Sequence, residues 1–248
     1  MNKFHTILRY RLRDGFWLVL AFLLALLGGC GSAATQVAED IAPANVARDA
    51  FAFQQNRRIG RGGNLGNALE APKEGEWGVI LEEEFFPIIK AGGFDSVRVP
   101  IRWNAHAAQA EPYTIDPAFF ERVDWVVANA LKNDLVVILN LHHYEEIMKS
   151  PAEHRVRFLA IWRQIAAHYQ DAPDGIMFEL LNEPNGPISN GGAWNELLAA
   201  GIQEVRQTNP DRTIIIGPDN WNSIDRLPTL KLPEDDRNLI VTVHYYQP

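Results

Sequence analysis

A single cysteine, Cys30, occurs in 248 residues. No internal disulfide can form, and no C-x-x-C or Cys/His cluster is available for zinc. Positive charge is also scarce: 23 Lys and Arg stand against 31 Asp and Glu, a formal net charge of −8. An acidic chain is a poor nucleic-acid binder and suits an uncharged polymer or a small ligand. Nucleotide signatures are missing too. In Gly60-Arg61-Gly62-Gly63-Asn64-Leu65-Gly66, Leu65 stands where the dinucleotide fingerprint needs glycine, and no Lys-Ser/Thr follows for a phosphate loop. No G-x-S-x-G elbow supports an esterase triad. His142 and His143 are neighbours that point to opposite faces of a strand, and neither has a partner at a helical ligand spacing. No metal and no cofactor is expected.

What is there begins with a leader. Lys3, Arg9, Arg11 and Arg13 precede an uncharged apolar run over 16–27, and Gly28, Gly29 and Cys30 follow. A basic start, a short apolar stretch and small residues make a secretory signal, too short to cross a bilayer comfortably. Leu27-Gly28-Gly29-Cys30 resembles a bacterial lipobox, in which the cysteine is lipidated and becomes the new N-terminus. The alternative is an ordinary secretory signal that contains a cysteine. Residues 1–30 are therefore expected to direct export, with Cys30 as a lipid anchor to the cell envelope. Without residues 1–29 the chain keeps 19 Lys and Arg against 30 Asp and Glu. Residues 31–55 are small, polar and aperiodic and read as a tether. The folded domain is expected over 56–248, as a monomer.

From there strand and helix alternate. Strands are expected over 62–69, 94–100, 135–142, 176–182, 213–217 and 239–245. Helices are expected over 79–91, 116–132, 151–169 and 193–208, with Asp116 as N-cap, Pro117 at the first turn, and Val156, Leu159, Ile161 and Ile165 inward. Repeated βα units with buried strands mean a parallel sheet covered by helices. An open doubly wound sheet and a closed (β/α)8 barrel both fit that pattern. The polar residues decide for the barrel. Arg98, His142, Glu183, Asp219 and His244 fall at or just past successive strand ends, as a barrel mouth requires, whereas an open sheet concentrates chemistry at one switch point.

The most telling of these ends is Asn182-Glu183-Pro184, which follows the apolar run from Ile176 to Leu181. A carboxylate there, stopped by proline, suits an acid aimed at a barrel mouth, and alternation places it on one face with Leu181 and Glu179. Hydrolysis of a glycosidic bond needs a protonated acid beside the leaving oxygen and groups that orient sugar hydroxyls. Asn182 and the histidines could supply the latter. Trp103 and Trp221, just past strand ends, are candidate faces for sugar rings. Trp125, Trp162 and Trp194 fall within helical runs and read as packing.

Five segments occur in order: Asn67-Ala68-Leu69-Glu70, Val97-Arg98-Val99-Pro100-Ile101-Arg102-Trp103, Leu141-His142-His143-Tyr144, Phe178-Glu179-Leu180-Leu181-Asn182-Glu183-Pro184 and His244-Tyr245-Tyr246. Together they resemble glycoside hydrolase family 5, the clan A retaining cellulases, from about Ile59 to the last residue. Within that family the chain is similar to bacterial endo-β-1,4-glucanases of the type that also cleave β-mannans. The resemblance implies a TIM barrel and roles for the matching positions. Glu183 would be the acid/base, and Asn182 would contact the sugar 2-hydroxyl. Arg98 would hold the nucleophile ionised, and Tyr246 would hydrogen-bond it. His142, His143 and His244 would bind substrate or support the site. Asn67, Glu70 and Trp221 would touch outer sugars, while Glu179 would be structural.

A retaining enzyme needs two carboxylates about 5 Å apart. The family carries its nucleophilic Glu at the tip of strand seven, and this sequence reaches Pro248 just past strand six. The expectation is an incomplete barrel of about six of eight βα units, a C-terminally truncated fragment that does not itself perform the double displacement. The expected partners are a β-linked polysaccharide or oligosaccharide and, through Cys30, a membrane. The alternatives are a β-mannanase or xyloglucanase of the same family, or a non-catalytic polysaccharide-binding lipoprotein.

Overall fold

Six short apolar segments lie side by side in the order in which they occur in the chain. They are β1 (Gly62–Asn64), β2 (Ser96–Ile101), β3 (Val136–Leu141), β4 (Ile176–Glu179), β5 (Ile214–Ile216) and β6 (Leu239–Val241). A computed structural model describes residues 43–246, so Cys30 and the leader lie outside the described residues. Every neighbouring pair is parallel, and the sheet order is β1-β2-β3-β4-β5-β6. A strand order without reversal has no switch point. It is the order of a (β/α)8 barrel, of which six strands are present among the described residues.

The register sorts side chains into two faces. Asn64, Arg98, Ile138 and Met177 are paired across β1 to β4, and Pro100, Asn140, Glu179, Ile215 and Ile240 across β2 to β6. These rows face the barrel interior. Val136, Ile138, Met177 and Ile215 pack there as a cluster of their own, joined by Ile59 and Ile240. The opposite face carries Val97, Val99, Val137, Leu139, Phe178 and Ile214, which form the larger core under the helices.

Those helices are α3 (Pro117–Lys132), α5 (Pro151–His168) and α6 (Ala193–Arg206), with the shorter α2 (Phe85–Ala91) and α4 (Glu145–Lys149). Asp116 caps α3 by accepting the Ala118 N–H at 2.9 Å, with Pro117 at the first turn. Phe119, Val123, Val126, Val127 and Ala130 bury one stripe of α3. In α5, Ile161, Trp162 and Ile165 are buried and Leu159 partly so, but Val156 is exposed, because it falls on the outer face of the helical period. The α5 and α6 helices meet at Gly201, where a Cβ would lie 3.1 Å from Phe158. Trp162 and Trp194 each donate an indole N–H at 3.0 Å to the carbonyls of Leu180 and Gly217, so helices α5 and α6 are pinned to the ends of β4 and β5. Truncating either indole to Ala should cost about 3–5 kcal/mol.

Several boundaries differ from the sequence expectation. The aperiodic tether over 31–55 does not hold for its second half: α1 spans Pro43–Ile59. This helix is held by tertiary bonds at its C-terminal end. Gln55 donates to the Asp174 carbonyl at 3.1 Å, Arg58 pairs with Asp174 at 3.0 Å, and the Ile59 carbonyl accepts from Ser96 at 2.7 Å. Thus α1 closes the N-terminal end of the barrel. Helix α2 starts at Phe85 rather than near Val79, because Glu74 takes the Leu81 N–H and binds Arg122, which shapes 74–81 as a clamped loop. Strands β1, β4 and β6 stop earlier than expected, at Asn64, Glu179 and Val241.

Candidate active site

The site is layered from the barrel interior outward. Arg98 on β2 lies beneath the mouth and grips Glu179 on β4 with two bonds, Nε to Oε2 at 2.5 Å and Nη2 to Oε1 at 2.7 Å. The same guanidinium donates to Asn182 Oδ1 at 2.8 Å and to Asn64 Oδ1 at 3.1 Å. Burial acts against the Arg98 charge, but the Glu179 bond and the charges of Glu179 and Glu183 outweigh it and raise its pKa. Glu179 is thereby a structural anion whose oxygens are both taken.

Glu183 is placed differently. The chain leaves β4 after Glu179, though the Asn182 N–H still reaches the Leu141 carbonyl at 2.9 Å. Glu183 then takes a left-handed conformation with φ 47°, unusual for a non-glycine residue. Simple alternation with Leu181 and Glu179 therefore does not aim this side chain; the turn does. Asn185 holds the Glu183 carbonyl at 2.8 Å, and the Trp221 N–H holds the Pro184 carbonyl at 3.1 Å. His244 Nδ1 and the Tyr246 hydroxyl both reach Glu183 Oε1, at 2.6 and 2.5 Å. The His244 bond lowers the Glu183 pKa, and although burial opposes it, the Tyr246 bond adds to the lowering. Tyr246, in turn, is raised by the same bond.

His142 Nδ1 lies 2.6 Å from Asn140 Oδ1. An oxygen there makes Nδ1 the donor and leaves Nε2 as an acceptor. Burial first, then the Arg98 charge, pushes the His142 pKa down to about 3, so the ring is neutral. His143 is left-handed, φ 52°, and turns its ring edge-on to His142, with centroids 4.5 Å apart. Burial and then Arg102 lower its pKa as well.

These groups line one cavity of about 500 Å³. Its walls include Arg98, His142, His143, Asn182, Glu183, His244 and Tyr246. A second cavity of about 410 Å³ shares His143, Asn182 and Glu183 and continues along Tyr144, Met148 and Pro187. Glu183 thus stands where two depressions meet. A cavity of about 490 Å³ between α1 and β6 gathers no comparable set of groups.

Most site residues read from the sequence converge here, with corrections. Trp103 is not a sugar face: it is fully buried and packs edge-on against Phe119. Glu70 borders the cavity but is buried, and its oxygens accept the N–H groups of Asn67 and Ala68, the latter at 3.0 Å. It shapes the turn while forming part of the cavity wall. Within the described residues Tyr246 bonds Glu183; its expected bond to a nucleophile concerns a group outside them. Asp219 is tied to Arg226 by two bonds at 2.7 and 3.1 Å. Asn67, left-handed with φ 63°, and Trp221 are exposed at the rim. The sequence reading missed Asn140, which is buried and orients His142, and Trp77, whose ring lies 5.6 Å from that of His143. Asn140 had a signal, since it lies two residues before His142 on the same strand face. Trp77 had none beyond its flanking glycines.

Comparison with known proteins places this arrangement among relatives. Residues 63–248 match the family model for cellulase, glycosyl hydrolase family 5. Endoglucanase H of Acetivibrio thermocellus is 41% identical over 196 residues, which cover 79% of this chain and 22% of that protein. Endoglucanase 1 of Ruminococcus albus is 32% identical over 216 residues, covering 77% and 53%. The chain thus spans about a fifth of the first relative and half of the second. A crystal structure of the endoglucanase Cel5A from the hyperthermophilic Thermotoga maritima superposes with a TM-score of 0.78 at 51% identity, covering 79% of this chain and 63% of that one. The same enzyme in complex with mannotriose gives 0.77 at 50%, with the same coverage.

Proposed function

The chain belongs to the cellulases of glycosyl hydrolase family 5, and from that premise we propose that its cleft binds a β-1,4-linked glucan for endo-acting, retaining hydrolysis with Glu183 as acid/base. One observation carries the assignment. Glu183 is the carboxylate that a strained turn lifts to the meeting point of two cavities, with both donors on Oε1 and, among the described residues, none on Oε2. Oε2 is the atom free to meet a glycosidic oxygen.

In the first half-reaction the acid must carry a proton to the departing oxygen. In the second it must take one from water. His244 and Tyr246 favour the ionised form, which is the base form. A second carboxylate brought near would raise the Glu183 pKa by like-charge repulsion and supply the acid form. The remaining acids near the cleft are engaged: Glu179 with Arg98, Glu70 with backbone, Glu145 with Lys149 at 3.0 Å. We assign the nucleophile to chain outside the described residues. Asn182, fixed by Arg98, and His142, a neutral acceptor, would orient sugar hydroxyls.

The decisive experiment is Glu183→Gln in the natural protein, assayed on carboxymethylcellulose. Activity should fall about 10²–10⁴-fold, the usual weight of a general acid/base. Near-unchanged hydrolysis would remove Glu183 from that role. The mannotriose complex of the Thermotoga relative supports a second reading, hydrolysis of β-mannan. A panel of soluble glucan, mannan and xyloglucan distinguishes the two. Attachment through Cys30 is a separate proposal that rests on the leader pattern. Loss of radiolabelled fatty acid incorporation in Cys30→Ser would support it, and retention would refute it.

A further inference from the structure

Of the described tryptophans, Trp103, Trp162 and Trp194 are buried and Trp125 is half-buried beneath Arg122. Only Trp77 and Trp221 are open to solvent among them, at 41% and 53% exposure. An isolated exposed aromatic is ordinary on a protein surface. What distinguishes these two is where they are fastened. Trp221 is bound by its backbone to Pro184, beside the acid. The Trp77 and His143 rings meet nearly at right angles, 79°, and His143 lines both cavities.

Trp77 is also held firmly. Its turn is closed by Gly78 N–H to the Gly75 carbonyl and Gly75 N–H to the Val79 carbonyl, each at 3.0 Å, with both glycines left-handed. Below the turn, Glu74 binds Arg122 through two bonds at 2.8 Å, and Arg122 also donates to the Leu81 carbonyl at 2.7 Å. A rigid mount lowers the entropy lost when a ligand covers the ring. The rings of Trp77, His143 and His142 then form a continuous aromatic wall from solvent to the barrel interior. Trp77 follows β1 and Trp221 follows β5, with three strands between them in the sheet, so the two indoles bracket the mouth.

We propose that Trp77 is a sugar-stacking platform at the outer rim of the cleft, receiving a pyranose ring of a β-1,4-linked chain beyond the ring held beside Glu183. The inference rests on the reading of the cleft as a glycan site. The apolar face of a β-linked pyranose matches the indole face, and the adjoining His143 ring is placed to meet a hydroxyl.

The test is calorimetric titration of the unsubstituted protein, Trp77→Ala and Trp77→Phe with cellobiose and with cellohexaose. Trp77→Ala should weaken cellohexaose binding about tenfold and leave cellobiose within about twofold. Trp77→Phe, which keeps an aromatic face, should recover most of the loss. Undiminished cellohexaose binding by Trp77→Ala overturns the platform while the glycan-site reading stands. An equal loss for both sugars also overturns it, because Trp77 would then act only by propping His143. If the unsubstituted protein binds neither sugar, the glycan-site reading fails and the platform with it.

Discussion

The two ends of the barrel are built from different backbone. At the mouth, the loops that follow β1, β2, β3, β4 and β5 contain Asn67, Tyr113, His143, Glu183, Asn220, Trp221 and Asn222 in left-handed conformations. At the floor, only Asp134 among the described non-glycine residues does so. Each such residue costs energy that its surroundings must offset. The mouth offsets it with bonds between loops: Trp221 N–H to Pro184, Asn220 N–H to Ser189, His244 N–H to the Asn222 carbonyl at 3.0 Å. The floor instead uses plain clamps. Arg212 donates to the carbonyls of Tyr169, Ala172, Pro173 and Ile176, and Gln55 and Arg58 fasten α1 at Asp174. Strain is concentrated where side chains from separate strands must converge on one point.

The contrast is sharpest between two acids four residues apart. Glu179→Ala should destabilise the fold by about 3–5 kcal/mol, because Arg98 is left buried without its partner. Glu183→Ala should change stability by no more than about 1 kcal/mol, since it removes a half-exposed carboxylate from a strained turn. Urea denaturation of both variants breaks the comparison if the order is reversed. At the floor, Arg212→Met should lose about 2–4 kcal/mol in the same assay by orphaning buried carbonyls, with cellohexaose affinity unchanged. A drop in affinity would show that the two ends are coupled.

The histidines of the mouth give a pH signature. Folded His142 is neutral down to about 3, whereas the unfolded residue protonates near ~6.5. Between those values the unfolded chain binds the extra proton, so stability should fall as pH drops through that window. His142→Asn should flatten part of this slope, and an unchanged slope would place its origin elsewhere. The smallest effect is expected at Asn220, φ 55°. Asn220→Gly should alter stability by less than about 1 kcal/mol, because glycine tolerates the conformation. Asn220→Val should cost more, and the difference between the two measures the strain directly.

Much of this was legible in the chain. Strand β3, Val-Val-Ile-Leu-Asn-Leu, and the capped helix α3 follow from local pattern, and His142, Asn182, Glu183 and His244, just past strand ends, line one cavity with Arg98, which lies inside β2. The errors share one cause. Trp103 lies beside site residues in sequence, but burial is a property of what packs on top, and here that is Phe119. Among the described residues Tyr246 bonds Glu183, a contact that nothing local in the sequence reveals. Residues 43–55 looked aperiodic because their helix is stabilised by Asp174 and Ser96, more than a hundred and about forty positions away.

The alternation of strand and helix, the parallel sheet and the inventory of chemical groups are already written in the chain, since periodicity and residue type are local quantities. The resemblance already implies that Glu179 is structural and Glu183 the acid, but the physical reason for that division lies only in the fold, which pairs Glu179 with Arg98 and sets Glu183 in the cavity wall. Glu179 and Glu183 leave the same strand, and only the register opposite Arg98 and the left-handed turn after Asn182 separate them. Such long-range pairing and backbone strain arise from contacts between distant segments, which no window of sequence contains.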